Sequence, residues 1–438
     1  MSIPSLSGLE TALSGLEADQ AAIDTTGQNI SNENTPGYSR EQVNFETNPS
    51  LTLLPAQADP TGGGTQLGTG VDVASITRVR NQFLDVQYRA QNTILGAANQ
   101  NVTSLTQAQS AFNEPTSSGI SAQLATFWSD WNNVANSPGS QSAKTTLVDD
   151  ATTLTQTFNQ LSSQLAGVQT QATQQYASIT GPSGAIESDA NQIAQLNAAI
   201  ANAKQGNQDP NTLQDQRDSL LDDLSQYGQL SVSAQGNGMV NVSFGDASSP
   251  LISGSSVNWP QTLTSATGGE LGSLLSLASA SGPVGALSSV LDSVAGAVVS
   301  SVNSLSSTTP FFSGSSAATI AVAVTPSQVQ TSSASNPGSG DVALSIANLA
   351  GGAADQAYAA LVAQVGGDVH SATTAQTSSQ ALVSAVNNQR ESVSSVSLDQ
   401  EMTNLMSFQQ GYDASARAMT TLTAMLQTLI TNTGTAGL

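Results

Sequence analysis

The opening of the chain places apolar side chains at alternating steps of three and four: Leu6, Leu9, Leu13 and Leu16, then Ile23 and Ile30. The closing segment does the same through Leu398, Met402, Leu405, Tyr412, Ala416, Met419, Leu426 and Ile430, with Met406, Leu422, Met425 and Leu429 beside it. Such a repeat makes a narrow helical seam. Gln20, Gly27, Gln409 and Thr423 interrupt the two seams. Neither helix can bury its stripe alone, so each needs the other or a neighbouring subunit. A helix of about 30 residues is roughly 45 Å long, so the expected element is extended, with both termini at one end of a nested rod.

Between the seams the period changes. The first helix should end near Asn32, because Asn34-Thr35-Pro36-Gly37 is a strong turn signal. Tyr38 to Thr47 and Val71 to Ile76 read as strands, separated by a loop through Pro55, Pro60 and Gly62-Gly63-Gly64. Helical patterning runs from Asn81 to Tyr227, with breaks at Pro115, Pro138, Pro182 and Pro210. Gly236-Asn237-Gly238, flanked by Val232, Val240, Val242 and Phe244, signals a hairpin. Strands are further expected at Thr319–Val324 and Val342–Ile346, with a helix near Ala286–Leu305, and helix again from Ala354 to Thr431. The expected fold is mainly α with a β-rich insert: long terminal helices pairing as a coiled coil, a helical body and a small central β-containing domain. The corresponding division is a terminal assembly region (1–60 and 390–438), a helical body (61–228 and 350–389) and a β-rich outer insert (229–349).

Composition narrows the function. Only 9% of residues are charged, 31 acidic against 9 basic, for a net charge of −22. A chain this acidic, with two lysines and seven scattered arginines, disfavours nucleic acid and anionic membrane surfaces, both of which need basic clusters. The absence of cysteine removes disulfides, thiolate metal sites and Cys nucleophiles. No run approaches 18 consecutive apolar residues. Met1-Ser2-Ile3-Pro4 lacks the basic and apolar regions of a secretory signal, which read alone points to the cytoplasm.

The run Thr25 to Tyr38 resembles the N-terminal signature of flagellar axial proteins, the rod, hook and hook-associated proteins. The matching residues are Asn29, Ile30, Asn32, Asn34, Thr35, Pro36, Gly37 and Tyr38, with Ser31 where Ala is usual. Ser39-Arg40 narrows the resemblance toward the first hook-associated protein family. Further similar segments are Gly68 to Arg89, Phe158 to Leu165, Leu213-Gln214-Asp215-Gln216-Arg217-Asp218, and Val396 to Tyr412. The resemblance fades between Leu251 and Leu349. It implies a junction protein that joins hook to filament by polymerising at the hook tip. Its implied partners are other copies of itself, the hook protein, the next hook–filament junction protein and a cytoplasmic export chaperone at the C-terminal helix. It also implies export to the cell exterior without a cleaved signal. On this reading the seam residues are the subunit-assembly interface: Leu6, Leu9, Leu13, Leu16, Ile23, Ile30, Leu398, Met402, Leu405, Tyr412, Met419, Leu426 and Ile430.

Rival readings are a rod or hook protein, an adhesin displayed on the flagellum, and an enzyme with chemistry in the insert. The sequence offers the last little support, and neither catalytic residues nor a cofactor or metal site is expected. His370 is the lone histidine, in a polar helical stretch, and no Gly-x-Ser-x-Gly elbow occurs. The Gly62–Gly70 run has no following Gly-Lys-Ser/Thr. Asp149-Asp150 and Asp222-Asp223 read as solvated helix surface, and Trp128 and Trp131 as core of the helical body.

Overall fold

The computed structural model describes residues 4–53 and 65–434. It is mainly α-helical with small sheets, as expected. The chain begins with α1 (Pro4–Ser31). That helix stops at the predicted turn, where Asn32 N and Thr35 N donate to Gln28 O and Asn32 O at 3.1 and 2.9 Å and Gly37 takes a φ of 80°.

A ribbon of β1 (Glu41–Thr47), β2 (Leu51–Leu53), β3 (Thr65–Leu67) and β4 (Val71–Arg78) follows. β1 pairs antiparallel with β4, from Glu41 opposite Arg78 to Thr47 opposite Val71, with an irregularity after Asn44. β2 and β3, three residues each and too short to show an alternating pattern, pair in the same sense and were not expected. The loop expected through Pro55, Pro60 and Gly62-Gly63-Gly64 lies outside the described residues. The ribbon straddles the boundary expected after residue 60, since β4 pairs back onto β1.

The body comprises α2 (Gln82–Phe112), α3 (Ile120–Asn136), α4 (Gln141–Thr180), α5 (Ala185–Gln205) and α6 (Asn211–Ser225). Asn81 caps α2 by accepting from Phe83 N at 3.0 Å, and Asn113 ends it in the left-handed region before Pro115. A meander of β5 (Leu230–Ala234), β6 (Val240–Phe244), β7 (Ile252–Ser253) and β8 (Ser256–Val257) turns at Gly238, φ 87°, where the hairpin was expected.

Residues 229–349 hold more helix than expected. Two helices, α7 (Gly269–Ala278) and α8 (Pro283–Leu305), precede a two-residue pairing of β9 (Phe312–Ser313) with β10 (Ala321–Val322). The strand expected at Val342–Ile346 is instead part of α9 (Asp341–Ala347). Ala343, Ile346 and Ala347 share one helical face and are buried, on a helix that packs on α3. Gly269–Leu305 is apolar enough by composition to pass as a membrane span, a property the count of consecutive apolar residues missed. Its pattern is that of a core helix. Val284, Leu287, Leu291, Val294, Val298 and Val302 are buried, while Ser289, Ser293 and Ser300 face outward.

The remaining helices are α10 (Ala353–Ser394) and α11 (Leu398–Gly434). α10 runs unbroken through the boundary expected at 390 and lies antiparallel along α2, with Gln376 Nε2 donating to Asn99 Oδ1 at 2.9 Å. The core is centred on Phe127, Trp131, Phe311 and Phe312, with Trp131 and Phe311 centroids 5.1 Å apart. Trp128 joins them and donates through Nε1 to Asp355 at 3.1 Å. A chain with so few aromatics concentrates them where α3 meets the insert, and the insert therefore shares one core with the body.

Asp130, on α3, is buried among these groups, with only Asn133 Nδ2 donating to it, at 3.5 Å. Burial first, and then the facing Asp150, push its carboxyl up to about 6. The folded chain thus binds this proton more tightly than the unfolded chain, whose carboxyl stays near 3.8. Its charge opposes folding at neutral pH, and that cost disappears as pH falls through 6 toward 4. Asp130→Asn is expected to raise Tm at pH 7.5 by about 2 °C and to flatten the Tm change between pH 7.5 and 5. An unchanged pH profile by circular dichroism would contradict this.

Candidate assembly surface and the junction that orients it

The terminal helices pair closely. Asn29 Nδ2 meets Glu401 Oε2 at 3.0 Å, and Gly8 faces Leu422 further along in antiparallel register. A Cβ on Gly15 would lie 3.1 Å from Ser415 Oγ, and one on Gly411 would lie 2.7 Å from Asp19 Oδ2. The buried residues of α1 are small or polar: Ala12, Ala18 and Ala22, then Thr25, Thr26 and Asn29. Small side chains let the axes approach, but each buries little apolar area, so the pair is weakly held by itself.

The expected seam residues sit differently from a buried seam. Leu9, Leu16, Ile23 and Ile30 are half-buried and Leu13 is exposed, while the Leu6 side chain lies outside the described residues. On α11, Leu405, Tyr412, Met419 and Leu426 share the half-buried side with Gly411, Ser415 and Leu422. Leu398, Met402 and Ile430 are exposed, and so are Met406, Met425 (62%) and Leu429. Among the described residues, no apolar side chain of α11 is fully buried.

The signature run holds this pair against the rest of the chain. Asn29 is 1% exposed and uses its full hydrogen-bonding capacity. Its Nδ2 donates to Glu41 O at 2.9 Å and to Glu401, and its Oδ1 accepts from Glu41 N and Tyr38 OH, both at 2.9 Å. Burial, reinforced by Glu41, Asp215 and Glu401, pushes the Tyr38 hydroxyl up and keeps it a donor. Ser39 donates to Asp215 from both N (3.0 Å) and Oγ (2.7 Å). Arg40 N donates to Ser394 O at 2.9 Å, Arg40 O accepts from Val79 N at 2.8 Å, and its guanidinium lies 3.7 Å from Glu401. Asn29, Tyr38, Ser39 and Arg40 thus tie α1 to the ribbon, to α6 and to the α10–α11 joint. The other signature residues behave differently. Asn34, Thr35, Pro36 and Gly37 are exposed, Asn32 is half-buried, and Thr35 Oγ1 donates only locally, to Asn32 Oδ1 at 3.2 Å.

Behind the signature lies a charged junction that sequence reading missed. Asp215, Asp218 and Asp222 occupy one face of α6 at spacings of three and four. Arg78 reaches Asp215 at 2.6 Å and Asp218 at 2.9 Å; Arg80 reaches Asp85 at 2.6 Å and Asp218 at 3.3 Å. Arg89 binds Asp222 at 2.7 Å, and Arg390 binds the same carboxylate at 2.6 Å while stacking 4.2 Å over the Tyr88 ring. Burial alone would raise the Asp218 carboxyl, but Arg80, Arg78 and Arg89 outweigh it and hold it below the ordinary range. Arg217 projects to the opposite side, where Nη1 donates to Asn197 Oδ1 (3.0 Å) and Gly238 O (2.8 Å) and so fixes the hairpin turn.

Two expectations change accordingly. The arginines are scattered in sequence but four of the seven, Arg78, Arg80, Arg89 and Arg390, converge here, and Asp222 is buried while its neighbour Asp223 is solvated. The junction neutralises itself, since each of its carboxylates faces a guanidinium. Among the described residues no three His, Cys, Asp or Glu side chains are grouped to hold a metal, and His370 is exposed on α10.

The family described as the flagellar hook-associated protein FlgK helical domain matches residues 105–310. Two flagellar basal body rod families match the terminal helices, at residues 9–38 and 388–432. The flagellar hook-associated protein 1 of Bacillus subtilis is 35% identical over 231 residues, 53% of this chain and 45% of that protein. Over about half of its length the chain is similar to flagellar hook-associated protein 1. The flagellar hook-associated protein 1 of Escherichia coli is 29% identical over 56% of this chain and 43% of its own length. A solved flagellar hook junction protein FlgK from Burkholderia pseudomallei is 25% identical over 50% of this chain and 43% of that one, with a TM-score of 0.44. The chain thus spans less than half the length of these relatives.

Proposed function

We propose that this chain is a structural element of the bacterial flagellum that joins the hook to the filament by polymerising at the hook tip. The observation that carries the proposal is the apolar surface of the terminal pair. Leu13, Leu398, Met402, Met406, Met425 and Ile430 are exposed on it, while Gly8, Gly15 and Gly411 stand at its internal contact. A helix pair built this way gains most of its apolar burial from neighbours, so folding of the ends is coupled to assembly. Four of the six methionines lie on α11. Their flexible thioether side chains suit packing against non-identical neighbours, as a joint between a curved hook and a stiffer filament requires.

The assembly interface is the seam set, Leu9, Leu13, Leu16, Ile23 and Ile30 with Leu398, Met402, Leu405, Tyr412, Met419, Leu426 and Ile430. Partners are further copies of the chain, the hook protein below and the next junction protein above. Before assembly, the same α11 surface is the place for a cytoplasmic export chaperone. The chain then acts outside the cell, with the segment around 229–349 turned to the medium. The junction of Asp215, Asp218 and Asp222 with its arginines fixes the angle between the terminal pair and the body, so that load passes between them through paired charges.

Purified chain mixed with isolated hooks is expected to pellet with them and, by electron microscopy, to cap one end. Chain that stays in the supernatant, or that coats the hook sides, would refute the proposal.

A further inference from the structure

Exposed large apolar side chains are unevenly placed. Apart from the terminal pair they fall mainly on one other element, the antiparallel pair α2/α10: Phe83 (72%), Val86 and Ile94 on α2, with Leu382 and Val393 on α10. Helices α3 to α8 show none among the described residues. The α2 residues stand at steps of three and eight, one helical stripe that continues through the exposed Ala90. Asn99 bonded to Gln376 and Arg390 stacked on Tyr88 set the register, which brings Phe83 level with the Val393 end of α10 and Ile94 level with Leu382.

From this distribution we infer that the α2/α10 stripe is a second, lateral contact between copies of this chain, separate from the terminal helices. The inference rests on the polymerising role proposed above. Charge identifies the occupant. Two molecules of net charge −22 repel unless they meet on neutral ground. From Val86 to Phe112 the only charged residue of α2 is Arg89, which is buried in its ion pairs, and from Ser371 to Gln389 α10 has no charged residue. The stripe is bordered by amides, Asn99 and Gln380, which donate and accept alike and so suit an identical partner. Continuity supports the same occupant. α10 runs into α11 across only Ser395-Val396-Ser397, so copies that meet along the terminal pair are held side by side at Val393 and Phe83.

The chain has no cysteine, so a single introduced thiol reports one position. Ile94→Cys, Met406→Cys and Gln156→Cys, the last on the exposed surface of α4, are each labelled with benzophenone maleimide, mixed with excess parent chain, assembled on isolated hooks and irradiated. Adducts with the mass of two copies of this chain are expected from positions 94 and 406 and not from 156. Copy-to-copy adducts at 406 with none at 94, or an adduct of position 94 with hook protein, would overturn the lateral contact and leave the junction role standing. Failure of the parent chain itself to assemble would overturn both. As a check that needs no label, Phe83→Ser with Ile94→Ser should keep its helical circular dichroism and require about tenfold more protein to cap hooks; an unchanged requirement counts against the inference.

Discussion

Replacing Met402, Met406 and Met425 together by serine is expected to leave Tm within about 2 °C of the parent chain and to abolish pelleting with isolated hooks. The three side chains are exposed in the free chain, so truncating them opens no cavity there. In the assembly each one is expected to bury most of its apolar surface, and full burial of a Met side chain is worth about 1.5–3 kcal/mol. Three such losses, repeated at every interface, suppress polymerisation. Retained pelleting would mean that other surfaces drive assembly. A large fall in Tm would mean that α11 is stabilised within the monomer to a degree its exposed surface does not indicate.

The second large effect belongs to the junction. Asp218→Ala removes the carboxylate that Arg78 approaches at 2.9 Å and that Arg80 and Arg89 both approach at 3.3 Å. Breaking a buried ion pair by deleting one partner costs on the order of 3–5 kcal/mol, chiefly because charge is left uncompensated out of water. Asp399→Ala, in the exposed first turn of α11, is expected to change stability by less than about 0.5 kcal/mol. Urea unfolding of the two variants side by side makes the comparison. Equal midpoints would show that the converged arginines do not hold the ribbon, α2, α6 and α10 together as a unit. The contribution should also survive added salt better than surface pairs do, since these side chains are largely shielded from solvent.

Much of this architecture was readable from periodicity and punctuation. The terminal helices, their pairing, the breaks at Pro115, Pro138, Pro182 and Pro210 and the hairpin at Gly238 follow from local chemistry acting over a few residues. Two features of the site did not. The face of α1 that touches α11 carries Gly8, Gly15 and Asn29, whereas apolar periodicity singles out leucines, because close helix contact selects for size as much as for hydrophobicity. The junction was hidden because Arg78, Arg89, Asp215, Asp222 and Arg390 are brought together only by the tertiary fold. Two signals were nevertheless present in the sequence: arginine outnumbers lysine seven to two, and Asp215, Asp218 and Asp222 repeat at helical spacing. At Val342–Ile346 a strand was expected, while the apolar spacing of Ala343, Ile346 and Ala347 is that of a helix.

Whether the chain joins hook to filament is tested most directly by deleting its gene, imaging the cells by electron microscopy and assaying flagellin in the culture medium. Hooks without filaments, together with flagellin lost to the medium and recovery on expressing the intact chain, are the expected result. Filaments of normal length and number, or cells with no hooks at all, would contradict the junction role.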